Sequence, residues 1–295
     1  MILTLSVCSP FSLSAVVRSH GWVRLAPFGT DARSGGLTRV ERLDSGRVVE
    51  LLVREAASGV SVEVQDRLTA AEQEQVIAKM TWMLGLKQDF SAFYALARDD
   101  PKLAHVEERA QGRVLRCPTL FEDTIKTILT TNTSWAGTIR MVEALVSEFG
   151  DPSPADPARH AFPTPDRLAS TDEETLRSSV RLGYRAPYVL ELARAVALDE
   201  LDLESLKSAN IPTAELRKRL LAIKGVGEYA MANLLMLLGR YDFIPVDSWA
   251  LKMVSHEWHG GQPVDRSEVE AAFEHWGMWK GLAYWFWDWS YTGEA

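Results

Sequence analysis

Residues 220–254 read LLAIKGVGEYAMANLLMLLGRYDFIPVDSWALKMV. Leu220, Leu221 and Ile223 close an apolar helix, Lys224-Gly225-Val226-Gly227 makes a tight turn, and a second apolar helix starts at Glu228. Two glycines one residue apart allow positive φ and the close approach of another backbone. The N–H groups that open a helix have no partner within it and point outward, where a phosphate oxygen accepts them. Ile244-Pro245-Val246-Asp247 then sets a carboxylate at the start of a third helix. Pro245 stiffens the approach, and Asp ahead of Ser-Trp-Ala-Leu-Lys is a good N-cap. Taken singly, the glycines fit a plain corner and the aspartate a plain cap. Together they pair a sequence-neutral grip on a phosphate backbone with a fixed negative charge, which a DNA-contacting surface has little use for unless it does chemistry there.

Outward from this segment, residues 1–67 read as strands by their period of two. Phe11 and Leu13 alternate with serines; Val49, Leu51 and Val53, then Val60, Val62 and Val64, form a hairpin pattern around Ala-Ala-Ser-Gly. Gly35-Gly36 and Ser45-Gly46 mark further turns. At Thr69 the pattern changes: Thr69-Ala70-Ala71-Glu72 is a capping box opening a helix through Met83. Helical periodicity then dominates, broken by a proline-rich loop at 150–165. The expected class is α+β: a small N-terminal antiparallel β-sheet domain (1–67), then a mainly helical body of two subdomains, 68–115 with 240–295 and 116–239.

With 295 residues and 46% apolar content the chain supports a substantial core. A net charge of −8 runs against a nucleic-acid partner, but binding needs only a local positive face. Cys8 and Cys117 are the only cysteines, so count alone excludes a disulfide framework, a zinc finger and a four-cysteine iron–sulfur cluster. A reducing, intracellular setting is expected, cytoplasmic and, in a bacterium, at the nucleoid. The first residues lack a basic n-region and no run of 18 apolar residues occurs, so neither a signal peptide nor a membrane partner is expected. His256 and His259 share a helix face but lack the further ligands that zinc requires.

The 220–254 segment resembles the helix–hairpin–helix plus Gly/Pro–Asp signature of a DNA glycosylase superfamily that includes 3-methyladenine DNA glycosylase II, 8-oxoguanine DNA glycosylase and endonuclease III. The likeness extends to Gly112–Phe121 and Ile128–Asn132, which resemble the helix leading to the loop that plugs DNA. Phe162-Pro163 and Leu182–Tyr188 resemble the 8-oxoguanine enzymes, and Trp276-Gly277 with Gly281–Ala283 the last helix. The order of sheet, then helical body with a helix–hairpin–helix motif, matches those branches.

The resemblance implies that Asp247 is the catalytic aspartate. Bifunctional members carry a Schiff-base lysine after Gly-Val-Gly-Glu; this chain has Tyr229, and a phenol forms no imine. It also implies a base pocket of Tyr229, Asn233, Tyr284, Asp288 and Trp22, and DNA contacts from Asn132, Lys224, Gly225, Val226, Gly227 and Lys252, with Asn132 filling the stack when the target base is flipped. Ungapped matching places Asp288 where relatives hold a stacking aromatic; a shift of one restores Trp287 or Trp289. The carbonyls of Leu221, Ile223 and Val226 match positions that hold a monovalent cation, Na⁺ or K⁺. No cofactor is required and no iron–sulfur cluster is expected. The implied function is a monofunctional, monomeric DNA glycosylase that takes double-stranded DNA and hydrolyses the N-glycosidic bond of a damaged, alkylated purine. The alternatives are a glycosylase for oxidised purines such as 8-oxoguanine, and a non-catalytic helix–hairpin–helix DNA-binding protein.

Overall fold

The structure is a computed structural model that describes residues 1–289. The strands are β1 (Ile2–Ser6), β2 (Phe28–Thr30), β3 (Leu37–Arg42), β4 (Val48–Ala56) and β5 (Gly59–Val64). The helices are, in chain order, α1 (Leu13–Val17), α2 (Ala70–Met83), α3 (Ser91–Ala97), α4 (His105–Glu108), α5 (Leu120–Thr130), α6 (Trp135–Phe149), α7 (Pro165–Ala169), α8 (Glu173–Ser178), α9 (Ala186–Ala197), α10 (Thr213–Leu221), α11 (Glu228–Leu237), α12 (Ser248–His259), α13 (Arg266–Ala272) and α14 (Lys280–Phe286). No helix among the described residues is long and apolar enough to cross a membrane. The class is α+β, as the sequence implies. The chain divides into two compact units, the first comprising 1–88, 113–209 and 223–225, the second 89–112, 210–222 and 226–295.

The first unit is built on an antiparallel sheet of order β1-β5-β4-β3-β2. Its centre is the hairpin read from the valine alternation, with Val53 opposite Val62 and Leu51 opposite Val64. Val49, Leu51, Val53, Val60, Val62 and Val64 are all buried, and each contributes roughly 1.5–3 kcal/mol when removed from water. The Thr69 capping box is present in full, with the Glu72 side chain returning to the Thr69 backbone. Residues 11–17 correct the expectation of a strand. The Ser12 hydroxyl accepts the Ala15 N–H and starts α1, which buries Leu13, Val16 and Val17 at helical spacing; the alternating serines masked that spacing.

Helix α5 belongs to the same compact unit as the sheet, and its residues 120–129 are all buried. Its charged residues complete a network with β3. Arg39 donates through both terminal nitrogens to Glu122, at 3.0 and 2.6 Å, and through Nε to Glu41 at 2.6 Å. Lys126 holds Glu122 at 2.7 Å and Lys79 holds Glu41 at 2.5 Å. Burial alone would raise the Glu122 carboxyl; Arg39 and Lys126 overcome it and lower it to about 2. Removing one member of such a set strands the others, at about 3–5 kcal/mol.

Asp123, the next residue, has no such cationic partner. It accepts from the Trp22 indole N–H at 2.8 Å and from the Cys117 N–H at 3.1 Å, yet burial pushes its carboxyl up to about 6. Because its folded value lies above the ordinary 3.8, the stability it confers is complete below that value and is lost as pH rises through 6. Asp123→Asn is therefore expected to gain roughly 2–3 kcal/mol relative to wild type between pH 4 and pH 7. Urea unfolding of both proteins at the two pH values measures this; a difference that does not change with pH contradicts it.

The second unit is helical and packs around Phe93, Tyr94, Val254, Phe273, Trp276 and Leu282. Here α14 lies directly on the chain after α11. Gly281 donates to the Tyr241 carbonyl at 2.6 Å, and a Cβ at this position would sit 2.8 Å from that oxygen. Only glycine permits the approach, and it fixes the position of Tyr284 one turn later.

Candidate active site

In the second unit, Asp247 is the N-cap of α12. Its Oδ1 accepts the N–H groups of Trp249 at 3.0 Å and Ala250 at 2.8 Å. The Tyr284 hydroxyl donates to the same oxygen at 3.3 Å. Among the described residues Oδ2 accepts no hydrogen bond, so one carboxylate oxygen is anchored and the other left for a ligand. Ile244 and Pro245 are buried just before it and Asp247 itself is half-buried, so the anion lies at the edge of the core. Burial and the Asp247 charge raise the Tyr284 hydroxyl well above its ordinary value. Tyr284 is thus a permanent donor at physiological pH.

Aromatic surface surrounds this carboxylate. Tyr229, in the first turn of α11, is 37% exposed, and it adds to the electrostatic surroundings of Tyr284. Trp249 is 49% exposed and meets Trp289 edge-on with centroids 4.4 Å apart. Sequence reasoning passed over Trp249; its signal was an aromatic two residues beyond a capping aspartate, on the turn the cap orients. Asn233 turns its amide back to the Tyr229 carbonyl at 2.8 Å. Asp288 sits elsewhere: its backbone N–H donates to the Lys102 carbonyl at 3.1 Å, and its charge acts on His105. The residue that meets the Asp247 turn is Trp289. Trp287 packs on Trp258 and Phe273. Lys252 is exposed on α12, and Val226 is buried.

In the first unit, Trp22 is a core residue rather than an open pocket wall. It is buried, its N–H is taken by Asp123, and its ring meets His20 edge-on at 4.7 Å. Burial lowers that histidine to about 4. Asn132 ends α5 in the left-handed region at φ 47°, its side chain exposed. Its amide donates to the Tyr184 hydroxyl at 3.2 Å. The buried Arg185 donates to the carbonyls of Thr131 and Asn132 and lies 4.4 Å from the Tyr184 ring. These bonds fix the backbone that presents Asn132.

Gly225 has φ 89°, and a Cβ there would lie 2.8 Å from the Tyr188 ring. Lys224, expected as a free phosphate contact, is paired with Glu191 at 2.7 Å; both are exposed, so the pair is weak and readily exchanged. Gly227 caps α11 with ordinary φ and open space around its Cα. Among the described residues the carbonyls of Leu221, Ile223 and Val226 accept no hydrogen bond outside helices. No cluster of His, Cys, Asp and Glu among the described residues has the form of a metal site.

The model of HhH-GPD superfamily base excision DNA repair proteins matches residues 125–278, just over half the chain, from within α5 to just before α14. The chain belongs to this superfamily. A probable N-glycosylase/DNA lyase of Methanothermobacter thermautotrophicus is 27% identical over 70% of this chain and 71% of its own length. A DNA-3-methyladenine glycosylase of Bacillus subtilis is 27% identical over 61% of this chain and 60% of its own. Among solved structures, a 3-methyladenine DNA glycosylase from Archaeoglobus fulgidus has the same fold, with TM-score 0.75 and 22% identity, covering 97% of each chain. The matched stretch includes the glycine turn and Asp247.

The two HhH-GPD glycines are expected to separate on mutation. Gly225→Ala meets positive φ and the Tyr188 ring, and should lose at least about 1–2 kcal/mol of stability. Gly227→Ala meets nothing in the protein and should unfold as wild type, while weakening DNA binding if phosphate approaches there. Thermal unfolding and duplex titration of both variants check this; equal destabilisation contradicts it.

Proposed function

We propose that the protein is a monofunctional DNA glycosylase that turns a damaged, alkylated purine out of duplex DNA and hydrolyses its N-glycosidic bond. The observation that carries this reading is the Asp247 carboxylate, with Oδ1 tied by two N–H groups and a tyrosine hydroxyl and Oδ2 unengaged among the described residues. As the bond to the base breaks, positive charge grows on the deoxyribose. A carboxylate oxygen within about 4 Å stabilises that charge by several kcal/mol in a partly desolvated site. The bonds to Oδ1 hold the group still, so little reorganisation is needed as charge develops. The base leaves with the bonding electrons, water adds at the anomeric carbon, and its proton passes to solvent, leaving an abasic site.

Tyr229 favours the hydrolytic route. It stands where bifunctional relatives supply an amine, and it offers only a phenol. An alkylated, cationic purine is already a good leaving group, and Tyr229 with the exposed Trp249 supplies π-surface suited to a positive ring. Asn132, held by Arg185, is the group proposed to fill the vacated stack. A monovalent cation on the carbonyls of Leu221, Ile223 and Val226 would add counter-charge for a phosphate. A second reading, removal of an oxidised purine, is favoured by the Asn132–Tyr184–Arg185 arrangement and by the likeness to an N-glycosylase/DNA lyase.

Asp247→Asn keeps an oxygen for the cap, so the protein should fold and still bind lesion-containing duplex. Single-turnover base release should fall at least about a hundredfold. Near-full activity would remove Asp247 from the mechanism. Borohydride treatment during turnover should trap no covalent protein–DNA adduct; an adduct would show an amine nucleophile and a lyase route.

A further inference from the structure

The first unit contains an open cavity of about 700 Å³ lined by Thr133, Gly137, Met141, Ser179 and three arginines, Arg140, Arg181 and Arg185. No acidic side chain lines it. Arg140 and Arg181 are exposed and make no ion pair among the described residues. Arg185 is 6% exposed; its Nη2 donates to the Thr131 and Asn132 carbonyls and its Nη1 to the Met141 sulfur, while its buried Nε has no hydrogen-bond partner among the described residues. Gly137 brings in the first turn of α6, the positive end of that helix dipole. Three guanidinium groups without a counter-ion, in a chain of net charge −8, mark a site for an anion. Guanidinium forks match phosphate oxygens in pairs, and the volume lies in the range of ligand clefts.

The position of the cleft narrows the anion further. Within this unit one run of contacts leads from the hairpin to the cleft. Gly225 abuts Tyr188, and Tyr188 meets Tyr184 edge-on at 6.2 Å. The Tyr184 hydroxyl accepts from Asn132, and Arg185 binds the Asn132 carbonyl and lines the cleft. The hairpin turn and the cleft therefore lie at the two ends of the run, with Asn132 between them. Resting on the glycosylase reading above, we infer that Arg140, Arg181 and Arg185 form a phosphate clamp for the strand opposite the flipped nucleotide, while the hairpin holds the damaged strand. Asn132 then stands between two anchored backbones, which fixes how deeply it enters the stack.

The test uses the full chain and a duplex with a stable abasic analogue, comparing wild type with the double variant Arg140→Gln/Arg181→Gln. Removing two phosphate contacts should make the slope of log K against log salt shallower by about 1.8. Neutral methylphosphonates placed opposite the lesion should weaken wild type and leave the double variant indifferent. The same substitutions in the damaged strand should weaken both proteins equally. An unchanged slope overturns the clamp, as does lost sensitivity to the damaged strand instead; in either case the glycosylase reading stands if wild type still prefers the abasic duplex. If wild type shows no such preference, that reading fails and the clamp with it. Thermal unfolding of the double variant confirms that a change in slope is not a loss of fold.

Discussion

The structure is organised around one carboxylate held by one of its oxygens. Asp247 uses Oδ1 for the N–H groups at the start of α12 and the Tyr284 hydroxyl, leaving Oδ2 unengaged among the described residues. A helix N-terminus favours negative charge within its first turn, and among the described residues no cationic side chain pairs with the group at the edge of the apolar core. An arginine or lysine in that place would also fix the carboxylate, but it would neutralise the charge a growing sugar cation needs. Much of the second unit serves this placement: Pro245 stiffens the entry, Gly281 brings α14 against the Tyr241 carbonyl, and α14 in turn delivers Tyr284.

The first unit solves a different problem, that of presenting a short polar side chain on a rigid loop. Asn132 adopts a left-handed backbone that few residue types tolerate, and Arg185 ties down the carbonyls on either side of the bend. Beneath it α5 is anchored to the sheet by Arg39, Glu122 and Lys126 rather than by apolar packing alone. A buried ionic network adds little net stability but penalises misplacement heavily, which suits a helix whose end presents an exposed Asn132. The overall acidity of the chain and the unneutralised arginines beside this loop are compatible, since binding responds to the local field.

What the sequence disclosed follows from the range of the interactions concerned. The β4–β5 hairpin, the Thr69 capping box, the glycine turn and the Asp247 cap are local, each written in fewer than about twenty residues. What the sequence did not disclose was of two kinds. Residues 11–17 looked like a strand because a five-residue helix capped by Ser12 is too short to outvote alternation. The others depend on partners distant in sequence. Nothing near Lys224 announces Glu191, and nothing near Trp22 announces Asp123. Nothing near Glu122 on α5 announces Arg39, which β3 supplies from 83 residues away. In the candidate site the capping carboxylate of Asp247 and the place of Tyr229 in the first turn of α11 were legible from motif spacing. Trp249 was hidden in the same motif, and the register that puts Trp289 rather than Asp288 beside it is set by how the chain leaves α14.

The central claim is that Asp247 stabilises a positive charge on the sugar. It is tested most directly by comparing the affinity of the wild-type protein for two otherwise identical duplexes at neutral pH. One carries a cationic pyrrolidine in place of the target deoxyribose; the other carries a neutral tetrahydrofuran of the same shape. The account predicts that the cationic analogue binds at least about a hundredfold more tightly, as transition-state mimics do. Equal affinity for the two would contradict it.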